Sequence, residues 1–457
     1  MSAFAPPRQR DERPDDQNTD HRDGRRADHR ALRLLTAGSV DDGKSTLIGL
    51  LLYDSRAILA DQIDVLEKRS GGVPAAKGGP GFDLSLLTDG LQAEREQGIT
   101  IDVAFRYFAT RRRKFIIADA PGHEQYTRNM VTAAAGSDAA VVLVDITKLD
   151  LSVRPVALLE QTRRHALLAR LLRVPHVVFA VNKIDAVVEV RHAFEAVREA
   201  LLAFAADAGI DVAGIVPVSA LRGDNIATRT VVGGYDGPTL LELLECLPVA
   251  QERSDGDLLL PVQYVAREAA AAAEGSGAQP RTLWGRIAHG RVKTGDAVQI
   301  FPGGQEARVA EVRRAGDSVA DASAGQSAGI VLDRAIDVSR GDWIATPHTL
   351  RATQEFAATL AWLDTEPAQV GRKYWLRHGH RWVQARITRI ESRIDIHTLR
   401  PGEANQLAVN DIGEVWVQTQ QPLPLEAYED NRVGGSLVVV DAASHRTSGA
   451  LLVKRAA

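Results

Sequence analysis

The sequence predicts a doubly wound α/β domain followed by two small all-β barrels. From residue 31 to 248, short apolar runs rich in β-branched residues alternate with helix-like stretches, as in a parallel sheet buried on both faces. After a polar stretch, Gly-Asp, Pro-Gly and Arg-Gly-Asp turns separate short strands, which is typical of small barrels. These observations divide the 457 residues into a tail at 1–30, the α/β domain at 31–248, and barrels at 257–347 and 352–457.

The composition is that of an ordinary globular protein. Hydrophobic residues make up 45% of the chain and charged residues 25%, and the formal net charge of −4 argues against a dominant basic surface for nucleic acid. No run of eighteen apolar residues occurs, so no membrane span is expected. The tail lacks the apolar region of a signal peptide, and we expect it to be disordered and the protein to be cytoplasmic. The one cysteine, Cys246, is expected to be packed.

The first predicted strand and helix enclose a phosphate-binding loop. An apolar strand at 32–37 and a helix at 46–53 flank two glycines five residues apart, and a lysine and a serine follow the second glycine. Glycines let the backbone N–H groups converge on a polyphosphate at the helix N-terminus. Lys44 is predicted to reach the β- and γ-phosphates, and the Ser45 hydroxyl to contact Mg²⁺. The predicted nucleotide contacts here are Gly38, Ser39, Val40, Asp41, Asp42, Gly43, Lys44, Ser45 and Thr46.

A second group of candidates follows the predicted strand at 114–118. Asp119 is suited to a Mg²⁺ position, usually through water, and Pro121 leads to Gly122, whose N–H is predicted to meet the γ-phosphate. His123 comes directly after that glycine. We predict that it orients the attacking water, because Lys44 and Mg²⁺ already manage the phosphate charge.

A candidate first switch lies upstream, at 94–101. The Thr100 hydroxyl and carbonyl are predicted to close over Mg²⁺ and the γ-phosphate, which makes Thr100 a metal ligand together with Ser45 and Asp119. The alternative is that Thr100 only begins a β-strand at 100–105.

Two later loops predict the choice of base. Asp185, in the stretch Asn182, Lys183, Ile184, Asp185, can accept hydrogen bonds from guanine N1–H and the exocyclic amine, which adenine does not offer. The next strand is followed by Ser219, Ala220 and Leu221, and the Ala220 N–H is predicted to meet guanine O6. Open α/β sheets bind ligands at the carboxyl ends of their strands, where these motifs stand. The sequence therefore predicts a P-loop domain that binds GTP and Mg²⁺.

Several longer stretches extend the pattern. They are SVDDGK at 39–44, TDGLQAEREQGITID at 88–102, HEQYTRNM at 123–130 and QTRRH at 161–165. Through them nearly the whole chain after residue 31 resembles one branch of the translational GTPases, the large GTP-hydrolysing subunit of bacterial sulfate adenylyltransferase, with an elongation factor Tu-like architecture. The sequence departs from that family's pattern at Ala120, where Thr is usual, and in the segments at 146–159 and 268–280.

The resemblance implies a GTPase that energises a transferase. It implies a smaller catalytic partner subunit that makes adenosine 5′-phosphosulfate and pyrophosphate from ATP and sulfate, as part of sulfate assimilation and cysteine biosynthesis, in a heterodimer. The adenylyl transfer and the ATP site belong to the partner. The alternative is an elongation-factor-like carrier of aminoacylated RNA.

Two short motifs invite functional readings that we do not favour. The basic stretch at 111–114 could be an RNA patch, but it stands in a hairpin before a strand and is interpreted as a solvated turn. The stretch Arg377-His378-Gly379-His380 resembles a nucleotidylyltransferase signature with the wrong first residue, and we interpret it as a β-turn.

Overall fold

The computed structural model describes residues 31–58, 84, 102–122, 127–134, 136–249, 254–267, 281–395 and 400–456. The predicted tail, Thr100, His123 and the segment 268–280 lie outside the described residues. In the described part, no helix is long and apolar enough to cross a membrane.

The first unit alternates strands and helices. Its strands are β1 Leu32–Ala37, β2 Ala104–Ala109, β3 Lys114–Asp119, β4 Ala139–Asp145, β5 His176–Asn182 and β6 Val212–Pro217. Its helices are α1 Lys44–Asp54, α2 Thr127–Ala134, α3 Glu160–Leu171, α4 Val190–Ala208 and α5 Leu240–Cys246. Two 3₁₀ turns occupy Ile146–Lys148 and Ile184–Ala186.

The six strands form one sheet in the order β2-β3-β1-β4-β5-β6. All neighbours pair in parallel except β2, which runs antiparallel to β3 at one edge. Every residue of β4 is buried, and its alternate side chains enter two different cores: Val142 and Val144 face one, and Val141 and Leu143 face the other. Helices α2, α3 and α4 pack in the first core and α1 and α5 in the second, so the doubly wound fold is confirmed.

Local sequence explains where these helices begin and end. Gly43 precedes α1 with φ +89°, a conformation that side-chain-bearing residues rarely adopt. Thr239 and Glu242 form a reciprocal capping box at the start of α5. Gly209, in the left-handed region at φ 62°, ends α4.

The remaining strands all pair in antiparallel fashion. In the second unit they are β7 Leu259–Pro261, β8 Tyr264–Arg267, β9 Arg281–Arg286, β10 Arg291–Lys293, β11 Ala297–Phe301, β12 Glu306–Arg314, β13 Asp317–Val319, β14 Asp321–Ser323, β15 Ser327–Leu332 and β16 Trp343–Ala345. In the third they are β17 Ala352–Trp362, β18 Lys373–His378, β19 Arg381–Ile394, β20 Pro401–Gly402, β21 Ile412–Pro424, β22 Ser436–Asp441 and β23 Thr447–Ala456.

The third unit is a closed barrel. Its strands pair in the order β18-β22-β23-β17-β21-β19, and β19 pairs again with β18. The second unit is a sheet in the order β7-β16-β11-β12-β15-β9-β8, in which β13 pairs with β12, and β10 and β14 form a separate ribbon. The strands of each sheet fall within one of the ranges 31–248, 257–347 and 352–457, and we keep that division as a proposal.

Four local expectations can be compared with the fold. Cys246 is exposed, so its predicted packing is wrong; the neighbouring Leu244 and Leu247 point into the core instead. Strand β2 begins at Ala104, later than the predicted start at Thr100. The stretch at 377–380 ends β18 and turns into β19, as predicted. The basic stretch at 111–114 also lies in a hairpin turn, between β2 and β3.

That basic turn is more than a solvated loop. The Arg113 guanidinium donates to the carbonyls of Leu244, Glu245 and Leu247 at the end of α5. The Arg112 guanidinium lies 3.3 Å from Glu245. A cation at a helix C-terminus satisfies carbonyls that have no partner within the helix. The expectation of a simply solvated turn is therefore wrong for Arg113.

Candidate nucleotide-binding site

The phosphate loop joins the carboxyl end of β1 to α1, where two close approaches require glycine. A Cβ atom on Gly43 would stand 2.4 Å from the Asn182 amide nitrogen. A Cβ atom on Gly122 would stand 2.7 Å from the Gly38 carbonyl oxygen. Since neither contact leaves room for a side chain, the loop after β3 and the loop after β5 both pack directly on the phosphate loop.

Lys44 and Asp119 meet beneath this loop. Both side chains are buried, and the Lys44 ammonium lies 3.8 Å from Asp119 Oδ1 and donates to the Ala120 carbonyl. The Thr36 hydroxyl donates to Asp119 Oδ1 at 3.3 Å. Burial lowers the pKa of Lys44, and the carboxylates of Asp119 and Asp42 oppose that shift. The structure thus places the predicted phosphate lysine beside the predicted metal-binding carboxylate.

Some polar groups of the phosphate loop have no partner among the described residues. The Ser39 hydroxyl is buried and makes no hydrogen bond. The Ser45 hydroxyl at the start of α1 is partly exposed, and no described residue bonds to it. Buried polar atoms are normally paired, so a bound anion or metal ion fits here as the missing partner.

Asn182 connects the phosphate loop to the loop after β6. Its side-chain amide donates to the Asp42 carbonyl at 2.7 Å, and its Oδ1 accepts from the Ala220 N–H at 2.9 Å. The Ala220 N–H that we expect to meet guanine O6 is therefore engaged with Asn182 in this structure. Asp185 differs, because its carboxylate is partly exposed and accepts no hydrogen bond from the described residues.

The described candidates all lie at the carboxyl ends of four parallel strands, on the last residue of a strand, in the loop that follows it or in the first turn of α1. Those strands are β1, β3, β5 and β6. The residues are Gly38, Ser39, Val40, Asp41, Asp42, Gly43, Lys44, Ser45, Thr46, Asp119, Pro121, Gly122, Asn182, Lys183, Asp185, Ser219, Ala220 and Leu221. Thr100 and His123 lie outside the described residues, and their roles stay predictions.

Sequence reasoning missed three titratable groups close to this site. Asp145 ends β4 and lies 2.7 Å from the Lys183 ammonium, and Lys148 follows it in the 3₁₀ turn. The signal was available, since Asp145 ends its apolar strand just as Asp119 ends β3. His165 on α3 is fully buried, and burial, with the nearby Lys44 and Arg164 charges, lowers its pKa to about 3.

Comparisons with known proteins agree with this geometry. Residues 29–250 match the family described as elongation factor Tu GTP binding domain, and residues 355–454 match the GTP-eEF1A C-terminal domain-like family. The chain is 41% identical to sulfate adenylyltransferase subunit 1 of Laribacter hongkongensis, over 93% of this chain and 85% of that protein.

Two bifunctional proteins are also similar. Bifunctional enzyme NodQ of Azospirillum brasilense is 44% identical over 93% of this chain and 66% of its own length. Bifunctional enzyme CysN/CysC of Mycobacterium tuberculosis is 44% identical over 93% of this chain and 67% of its own length. The chain thus spans about two thirds of each bifunctional relative.

The sheet and the family matches define a guanine-nucleotide-binding P-loop domain of the elongation factor Tu type, followed by β-rich domains. The identity to curated relatives over nearly the whole chain then sets the branch. The chain belongs to the sulfate adenylyltransferase subunit 1 family.

Proposed function

We propose that this chain is the GTP-hydrolysing subunit of a sulfate adenylyltransferase. GTP hydrolysis here drives the formation of adenosine 5′-phosphosulfate and pyrophosphate from ATP and sulfate on a smaller catalytic subunit. The observation that supports this most is family membership over 93% of the chain, joined to a nucleotide site whose described parts converge at one edge of the sheet.

The predicted site residues fit guanosine triphosphate with its Mg²⁺ ion. Lys44 would neutralise phosphate charge, and Ser45 and Asp119 would face the metal ion together with Thr100. Asp185 would select guanine, because its exposed carboxylate has no partner among the described residues. Mg²⁺ would supply charge neutralisation at the phosphates when bound.

In this proposal, the loop after β3 carries out GTP hydrolysis and transmits the loss of the γ-phosphate to the partner subunit. His123 would orient water, and Gly122, which packs on the Gly38 carbonyl, would sense the γ-phosphate through its N–H. Loss of the γ-phosphate would remove that contact and release the following segment.

The partner, the heterodimer and the cytoplasmic location are part of this proposal. The name of the relatives, subunit 1, supports the second subunit. The carrier of aminoacylated RNA has less support, because the relatives' names point elsewhere and Arg113 in the basic turn is engaged with the end of α5.

The experiment is reconstitution with the smaller subunit. The purified chain is mixed with that subunit, ATP and sulfate, and pyrophosphate release is followed with GTP, with a non-hydrolysable GTP analogue and with no guanine nucleotide. We expect product to rise with GTP hydrolysis and to remain low with the analogue. Product formation that is independent of GTP hydrolysis would contradict the proposal.

A further inference from the structure

Lys148 is a charged residue that reaches the phosphate loop from outside the predicted site. It closes the 3₁₀ turn Ile146–Lys148 after β4, at the start of the segment 146–159, where the sequence departs from its family. The Lys148 ammonium donates to the Val40 carbonyl and, at 2.8 Å, to Asp42 Oδ1. One cation therefore contacts two residues of the loop.

Asp42 needs that cation. It is buried to 0% exposure in the middle of the phosphate loop, and its carboxylate accepts the Ser39 N–H at 2.7 Å. Burial raises the pKa of Asp42, whereas the hydrogen bond and charge of Lys148 lower it. A buried carboxylate without its counter-charge is costly in itself. Next to a polyphosphate it would also repel the ligand.

The same cation belongs to a longer network. The Lys148 ammonium lies 4.0 Å from Asp145 Oδ2, and the Lys183 ammonium lies 2.7 Å from that same oxygen. Two lysines and two aspartates thus form a chain of ion pairs with no net charge, from the phosphate loop to the predicted base-recognition stretch at 182–185. Asp42 and Lys183 stand at its two ends.

We propose that Lys148 is a nucleotide-positioning residue, which neutralises Asp42 and fixes the phosphate loop in the shape that accepts the phosphates of a guanine nucleotide. The proposal rests on the proposed nucleotide site. It gives a role to the first turn of the segment 146–159. Because Lys148 acts through Asp42 and Val40, its removal weakens binding without touching the groups that select the base.

A double-mutant cycle tests this role. Binding of GDP carrying a fluorescent methylanthraniloyl group is measured for the native chain and for Lys148→Met, Asp42→Asn and the double variant. We expect Lys148→Met to raise the Kd of the native chain about tenfold, which corresponds to about 1.4 kcal/mol. In the Asp42→Asn background, the fold increase in Kd caused by Lys148→Met should be smaller by a factor of at least about three, because no buried negative charge is left to neutralise. Lys148→Arg keeps the cation and serves as the matched control.

The outcomes are distinct from failure of the nucleotide site itself. If the native chain binds no GDP, the proposed function fails first. If the native chain binds and Lys148→Met binds equally well, only the role of Lys148 is overturned. Equal losses from Lys148→Met in both backgrounds overturn charge compensation as the cause. Circular dichroism melts of each variant without nucleotide separate weaker binding from unfolding, and a Lys148→Arg variant that is folded but as weak as Lys148→Met overturns the proposal as well.

Discussion

The carboxyl and amino ends of the parallel strands in the first unit's sheet have different contacts. At the carboxyl end lie Ser39, Ser45 at the start of α1, and Asp185, whose side chains have no hydrogen-bond partner among the described residues. At the amino end, the chain between α3 and β5 is bound to the closed barrel. The Tyr428 hydroxyl donates to the Leu172 carbonyl at 2.9 Å, and Arg432 donates to the Arg173 carbonyl.

This difference separates ligand-binding groups from structural ones. Tyr428 is 6% exposed and shares a core with the sheet, and the Arg173 guanidinium lies 5.8 Å from its ring centre. A cavity of about 1180 Å³ at this end is lined by Arg33, Leu172 and Tyr428, but by no residue of the phosphate loop. A large cavity is therefore not by itself a guide to the nucleotide site. Polar groups left without partners at the strand ends are the better guide.

The largest effect is expected at the carboxyl end. Asp185→Asn should weaken guanine nucleotide binding at least about 10³-fold, or about 4 kcal/mol, because the amide cannot accept both guanine N–H donors. Xanthosine diphosphate, which offers the complementary pattern, should bind better than to the native chain. Competition titrations against labelled GDP measure both. Unchanged GDP affinity would contradict the assignment of Asp185 to base recognition.

At the amino end, Tyr428→Ala should destabilise the protein instead. Removing a buried aromatic ring costs about 3 kcal/mol of unfolding free energy, while the GDP affinity of the folded protein should remain within about twofold of native. Tyr428→Phe is the matched control and should cost about 1 kcal/mol, since it keeps the ring and removes the hydroxyl that bonds to the Leu172 carbonyl. Urea unfolding and GDP titration together check this. A large loss of GDP affinity in folded Tyr428→Ala would show that the two ends are not separable.

Helix α3 reaches from one end to the other, and His165 on it makes stability depend on pH. Burial lowers the pKa of His165 to about 3 in the folded chain, whereas an exposed histidine titrates near about 6.5, so below that pH the unfolded chain binds a proton that the folded chain does not. Stability is complete above pH 6.5 and falls as the pH drops toward 3, by up to about 1.4 kcal/mol per pH unit. In His165→Gln, urea unfolding at pH 7 and pH 5 should show a smaller fall than in the native chain. An equal fall would mean that His165 takes up its proton while folded.

The smallest effect is expected in the basic turn at the amino end. The Arg112 side chain is 70% exposed, so Arg112→Ala should change the unfolding free energy by less than about 0.5 kcal/mol and leave GDP binding intact. Arg113→Ala should cost more, because it removes donors from the end of α5. Thermal melts compare the two. If the native chain bound an RNA oligonucleotide and Arg112→Ala did not, the basic turn would be a nucleic-acid site.

The sequence predicts the carboxyl end far better than the amino end. Lys44, Asp119 and Asp185 belong to short motifs whose spacing follows from the geometry of a phosphate and a base, and the apolar pattern marks the strands that precede them. Lys148 escapes such reasoning, because a charged residue after a strand has many uses until its neighbours are known.

The contacts at the amino end join residues that are remote in the chain. Tyr428 and Leu172 are 256 positions apart, and no local pattern in either stretch announces the pair. The prediction that Cys246 is packed is wrong for a related reason. An apolar neighbourhood in the sequence does not say which side of a short helix faces the core.

Calorimetric titration of the folded chain with GDP, GTP and ATP tests the central claim most directly, in the presence of Mg²⁺. The account predicts one-to-one uptake of GDP and GTP and no heat of binding with ATP. Absence of guanine nucleotide binding, or equal binding of ATP, would contradict it.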